Sequence, residues 1–300
     1  MSRTRLRGIE LAGTRMGVEV PAGSNWSWPA GRYDDFVCAP EGAEVYVGVR
    51  VGAAPVLPRD AFVYESRTHR FEVAERGDGW IVAIHGPDGL ERTALFDESF
   101  SEGEVILSPA AASDGIAPLE HPLDELIVLH RTVRAGGLVL RGSVVVRNDR
   151  ALLFLGGTSP VGEGGRRLSW QQPGAQRLTG QRVVVLPTLE GVRAVGSPWS
   201  HSVDAPGAFS ARIDAMHSIR PAPAVFADRL SPDDAVNEVL AQALVPIHDP
   251  MCADRCFDAA AGITSRLPVV RLGLPEEKRV VPFTWGRTDT EVAFAPPFVN

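Results

Sequence analysis

Long apolar runs are missing from this chain of 300 residues. No stretch approaches the ~18 consecutive apolar residues of a membrane-spanning helix, so no membrane partner is expected. Cysteine is scarce as well: three residues cannot make a disulfide framework, and a reducing compartment such as the cytoplasm fits. There is no basic excess. Thirty Lys and Arg stand against 37 Asp and Glu, a net charge of -7, which argues against nucleic acid or an anionic lipid surface as the main partner. The opening MSRTRLRG is basic, but no apolar segment of a signal peptide follows it, so it reads as a solvated end.

What is present suits a folded protein. The chain is 44% hydrophobic and 22% charged, enough for an ordinary core, and its length suggests one large or two medium domains. Thirty Gly and 24 Pro imply many turns and short elements. Residues 1–40 show little period; Trp26, Trp28, Tyr33 and Phe36 lie among Ser, Gly and Pro and read as packing aromatics rather than a ligand platform. From Glu44 the pattern has period two: Val45, Val47, Val49 and Val51 alternate with Tyr46, Gly48 and Arg50. Short β-rich runs follow at 61–64, 70–74, 79–84, 92–96 and 104–107, separated by Gly77-Asp78-Gly79 and Gly86-Pro87-Asp88-Gly89. The expectation is an antiparallel β-rich domain over 1–108 and an Ala/Ser/Pro-rich linker over 109–121. His69 and His85 have no ligand partner at useful spacing.

Pro122 to Arg134 carries a helical stripe of Leu123, Leu126, Ile127, His130 and Val133, on which His130 reads as a packed core histidine. Gly136-Gly137 ends it. Leu138 to Val146 and Ala151 to Leu155 read as a hairpin about Asn148-Asp149. The second strand runs into GGTSPVGEGG, as a buried strand does when it feeds a phosphate-binding loop. Against G-x-x-x-x-G-K-[ST] the register is Gly157, Gly162, Glu163, Gly164; a plain surface turn is the alternative.

The ordered set LDELIVLHR, LRGSVVV, ALLFLGGTSPVGEGG, RLTGQRVVVL and VGSPWS resembles the HPr kinase/phosphorylase-related proteins, whose core is similar to phosphoenolpyruvate carboxykinase. The resemblance covers roughly 120–275 and implies an α/β fold: a β domain, then an HPr-kinase-like P-loop domain over 122–275 and a tail over 276–300. The departures from the family pattern matter. Ser159 is kept, but Pro160 replaces a glycine and removes an N–H donor. Glu163 stands for the lysine, Gly164 for the Mg²⁺-holding hydroxyl, Gly180-Gln181 for the Asp-Asp pair, and Leu140-Arg141 for Leu-His. Phosphoryl transfer needs these parts together.

The resemblance therefore implies no catalytic residues, weak or absent ATP and Mg²⁺ binding, and an inactive kinase-like protein that binds a peptide or protein partner, with a peptide-modifying pathway as one context. An altered-site kinase or phosphate-handling enzyme and a structural subunit of an assembly are the alternatives, and a homo-oligomer is compatible with each. Arg141, Arg166, Arg167 and Trp199 are the candidate anion or partner contacts. Further on, Ser231-Pro232-Asp233-Asp234 reads as a helix start. His248, Cys252 and Cys256 recur every four residues, a spacing that could hold zinc if helical; with Pro250 among them and three ligands only, buried packing is the preferred reading and no metal is expected.

Overall fold

A computed structural model describes residues 4–24, 26–65, 70–156, 176–179, 182–199, 208, 210–224, 226–274, 283–284 and 293–294. The chain divides into two compact units: 1–131 with 246–250, and 132–245 with 251–300.

The first unit is built on one nine-stranded sheet. Its strands are β1 (Thr4–Leu11), β2 (Thr14–Pro21), β3 (Val37–Cys38), β4 (Val45–Val51), β5 (Phe62–Glu65), β6 (Arg70–Arg76), β7 (Gly79–Gly86), β8 (Gly89–Asp97) and β9 (Glu102–Leu107). They lie in the order β3-β1-β2-β4-β9-β8-β7-β6-β5. The expected runs from Val45 to Leu107 are all strands. The sheet is mixed, however, and not antiparallel throughout: β4 runs parallel to both β2 and β9. Period-two patterning is the same for either direction. Connection length decides it here, because long excursions separate β2 from β4 and β4 from β9, whereas two-residue turns join β6 to β7 and β7 to β8. Close pairing also fixes residue choice: a Cβ on Gly79 would sit 2.1 Å from the Phe96 carbonyl oxygen.

Residues 1–40, without visible period, supply β1 and β2, whose inward faces carry Ile9, Leu11, Met16, Val18 and Val20. Trp26, Trp28, Tyr33 and Phe36 are buried beside them, as packing aromatics should be. A short helix α1 (Pro109–Ser113), capped by Ser108, stands in the expected linker. Helix α2 (Leu123–Arg134) begins in this unit and is buried from Leu123 to His130, all round rather than along one stripe. Its buried Asp124 accepts a 2.7 Å hydrogen bond from the Tyr33 hydroxyl. Arg92, 1% exposed, donates to the carbonyls of Ala117 and Glu120 at 2.8 and 3.3 Å, fixing the approach to the helix.

The second unit corrects the expected α/β P-loop core. Strands β10 (Leu138–Arg147), β11 (Arg150–Leu155), β13 (Arg182–Thr188), β14 (Gly191–Val195) and β15 (Ser210–Pro221) close into a five-stranded barrel, in the order β11-β10-β13-β14-β15 with β15 returning to β11. The short β12 (Gln176–Thr179) also pairs with β10; β17 (Val269–Leu274) runs parallel to β15 and β16 (Phe226–Arg229) pairs with β17. Two-residue strands β18 (Phe283–Thr284) and β19 (Ala293–Phe294) form a separate pair. Helices α3 (Pro232–Leu240) and α4 (Pro250–Thr264) bring the described α-helices to four. A P-loop fold needs a parallel sheet with helical crossovers on its faces. Here four of the five barrel pairings are β10–β11, β10–β13, β13–β14 and β14–β15, all antiparallel. The misreading has a simple origin: an apolar strand such as Ala151–Leu155, buried on both faces and followed by glycine, looks the same whether it feeds a phosphate loop or closes a barrel.

Local expectations held. Asn148 and Asp149 both take left-handed φ (52° and 60°), as a two-residue hairpin turn requires. Gly136 (φ 77°) ends α2, and the Ser231 hydroxyl accepts from the Asp234 N–H at 3.2 Å. No helix among the described residues is long and apolar enough to cross a membrane.

Candidate functional site

Buried ionisable side chains converge at one place in the first unit. His130 comes from the third turn of α2, Tyr64 from edge strand β5, Trp80 from β7, and Phe100 from the turn before β9. His248 and Asp249 come from Pro246–Pro250, where prolines on both sides and a turn from the Asp249 N–H to the Pro246 carbonyl (2.9 Å) restrict the backbone. His130 is fully buried, and His248 and Asp249 are each 3% exposed.

The polar atoms form a line. Tyr64 Oη lies 2.8 Å from His248 Nδ1, His248 Nε2 lies 2.9 Å from His130 Nε2, and His130 Nδ1 lies 3.4 Å from Asp249 Oδ2. Donor–acceptor matching assigns the protons. A carboxylate beside Nδ1 favours the His130 tautomer that carries its proton there and turns a lone pair outward at Nε2. His248 then donates from Nε2, and its Nδ1 accepts from the Tyr64 hydroxyl. Rings wall the line in. Phe100 stacks on His130 with centroids 4.0 Å apart, and Trp80 meets His248 edge-on at 5.2 Å. Burial pushes His248 down to about 3, the adjacent His130 pushes the same way, and Asp249 pulls back against both. Burial raises the Tyr64 hydroxyl, with its contact to His248 opposing.

Neutral imidazole is the ligating form of histidine, the form that burial favours for His248, and each ring here has its Nδ1 beside an outer oxygen while the two Nε2 atoms face each other. Metal-binding histidines are oriented in this way. A proton wire from Tyr64 to Asp249 is the other chemistry the line permits.

The residues singled out by the loop resemblance belong to the second unit. Gly157, Ser159, Pro160, Gly162, Glu163, Gly164, Arg166, Arg167, Gly180 and Gln181 lie outside the described residues. Arg141 is exposed on β10, with its backbone bonded to Gln242 and Gly156, and Trp199 is buried. Cys252 and Cys256 are buried on α4, and neither they nor Cys38 are in a disulfide. His130 was visible in the sequence only as a core residue, and His248 only beside the cysteines. Their pairing spans 118 residues, and no local spacing signals it. The hint available was a histidine on an apolar helical stripe, which needs a buried polar partner somewhere. No family model and no curated protein matches the chain.

Proposed function

We propose that this protein binds a divalent transition metal between His130 and His248. One observation carries the reading: two buried imidazoles face each other through Nε2 at 2.9 Å, with each Nδ1 beside an outer oxygen. Tetrahedral Zn²⁺ at ~2.0–2.1 Å from each nitrogen needs them about 3.3 Å apart, so the rings must part by only ~0.4 Å. Both Nε2 atoms must then offer lone pairs. The His248 proton moves to Nδ1, and Tyr64 changes from donor to acceptor, which a hydroxyl does without moving. Asp249, 3.4 Å from the His130 Nδ1, favours a proton on that nitrogen. Three cysteines outside any disulfide suit a reducing compartment.

The test is reloading of chelator-treated protein with Zn²⁺, and with Co²⁺ as a spectroscopic probe. One equivalent is expected to bind, with an imidazole-ligand spectrum; His130→Ala removes it, and Tyr64→Phe lowers affinity roughly 10–100-fold in a folded protein. Failure of the natural chain to bind either ion, or full affinity in folded Tyr64→Phe, overturns the reading.

A second reading, binding of a peptide or protein partner without catalysis, is favoured by β5. This edge strand leaves Phe62 44% and Val63 52% exposed. An extended peptide adds to such an edge through main-chain hydrogen bonds. Partner capture that survives Val63→Pro speaks against it.

A further inference from the structure

We infer that the second unit carries a binding pocket for a small phosphorylated ligand, distinct from the histidine pair. A cavity of about 300 Å³ lies among the last turn of α2, β13 and the outer stripe of α4. Arg134, Arg255 and Arg266 line it, with Asp258 as the carboxylate and Gly136 and Gly262 in the wall. On α4 the lining residues Arg255, Asp258 and Gly262 recur at three- and four-residue spacing, so one helical face presents them, and Arg266 follows the helix end. Arg255 and Arg266 beside Asp258 leave this lining net basic, and guanidinium forks suit phosphate oxygens.

Helix-end electrostatics explains only part of this. Arginine in a last turn offsets the negative end of a helix, which covers Arg134. Arg255 sits in the second turn of α4, where that effect gives a cation no advantage.

Gly262 is the second, independent observation. It stands inside α4, where glycine costs about 1 kcal/mol relative to alanine. Its φ is not in the left-handed region, and a Cβ built on it meets nothing within 4 Å. Neither backbone geometry nor packing calls for glycine there. Gly262 is exposed, and a bare helix wall in the lining leaves room for a ligand to approach the backbone.

The probes are inorganic phosphate, pyrophosphate and sulfate, titrated calorimetrically into the full chain at low and moderate salt. Phosphate or pyrophosphate is expected to bind ahead of sulfate, and Arg255→Ala to weaken the favoured probe at least tenfold. Gly262→Leu fills the cavity from a helix position and removes the glycine penalty. It is expected to raise the melting temperature and abolish binding together, an outcome that misfolding cannot produce. Absence of binding by the natural chain, or binding untouched by both Arg255→Ala and Gly262→Leu, overturns the inference; equal, weak uptake of all three anions that both variants keep means an adventitious ion only. Zn²⁺ reloading of the same variants reads the His130–His248 site separately, so the two proposals stand or fall independently.

Discussion

In the first unit, His248 is one link in a line of polar atoms running from Tyr64 to Asp249, at the face of an open nine-stranded sheet. In the second, His217 lies on β15 of a closed barrel, fully buried and stacked on Phe154 at 5.3 Å. Burial keeps both rings neutral, holding His248 at about 3 and His217 at about 4. The scaffolds differ in what they leave available. A barrel closes on its own strands. An open sheet keeps edges and a face that other segments must cover, and Pro246–Pro250, distant in sequence, belongs to the first unit. In the open unit, groups from remote parts of the chain therefore meet in a buried line from Tyr64 to Asp249.

The largest expected effect tests that contrast directly. His130→Ala removes a ring stacked on Phe100 and leaves the His248 Nε2–H and the Asp249 carboxylate facing a hole. A loss of about 4 kcal/mol follows from cavity and unsatisfied-group costs together. Urea unfolding followed through tryptophan fluorescence measures it. A cost below about 1 kcal/mol means that the line of contacts contributes nothing the aromatic cage does not already supply.

Acid sharpens the comparison in the barrel. The folded pKa of His217, about 4, lies below the ordinary histidine value near 6.5. The folded state thus binds fewer protons than the unfolded one between those values. The stability linked to His217 is whole above about pH 6.5 and is lost as pH falls towards 4, by roughly 3 kcal/mol. Denaturation midpoints at pH 7, 5.5 and 4 read the slope, and His217→Leu should flatten its share. A slope unchanged in that variant puts the acid sensitivity elsewhere.

Two smaller substitutions contrast a buried contact with a surface one. Tyr33→Phe strips the buried Asp124 of a 2.7 Å donor in the first unit and should cost about 2 kcal/mol. Ser231→Ala removes the cap of α3 in the second and should cost about 1 kcal/mol. Thermal melts of both variants against the natural chain give the order; a reversed order means that the Asp124 site relaxes or admits water.

Much of the local structure was legible. The valines from 45 to 51 announced β4, Asn148-Asp149 announced a hairpin, and Ser231-Pro232 announced a helix start, because each depends on a few neighbouring residues whose backbone preferences are strong. The first two strands were not legible. In β1 and β2, Gly8 and Gly17 and the charged Arg7, Glu10, Arg15 and Glu19 interrupt the alternation that marks a strand. The loop over 157–164 carried a phosphate-loop pattern, but pattern alone could not say whether the strand before it joins a parallel sheet or an antiparallel barrel. The two cysteines drew attention to His248 by spacing, whereas its polar contacts with Tyr64 and His130 are ones that no spacing indicates.

The sequence by itself determined where most strands and helices begin and end, which side chains are apolar enough for a core, and that no disulfide framework can form. Those properties are local or compositional, and sum along the chain. Strand direction, closure of the barrel, and the meeting of Tyr64, His130, His248 and Asp249 were decided only by the tertiary structure. Each depends on contacts between residues far apart in sequence, whose free energy is realised once loops are closed and the groups are shielded from water. A histidine on an apolar stripe reads the same alone or paired; burial beside a second histidine 118 residues away gives it a chemistry.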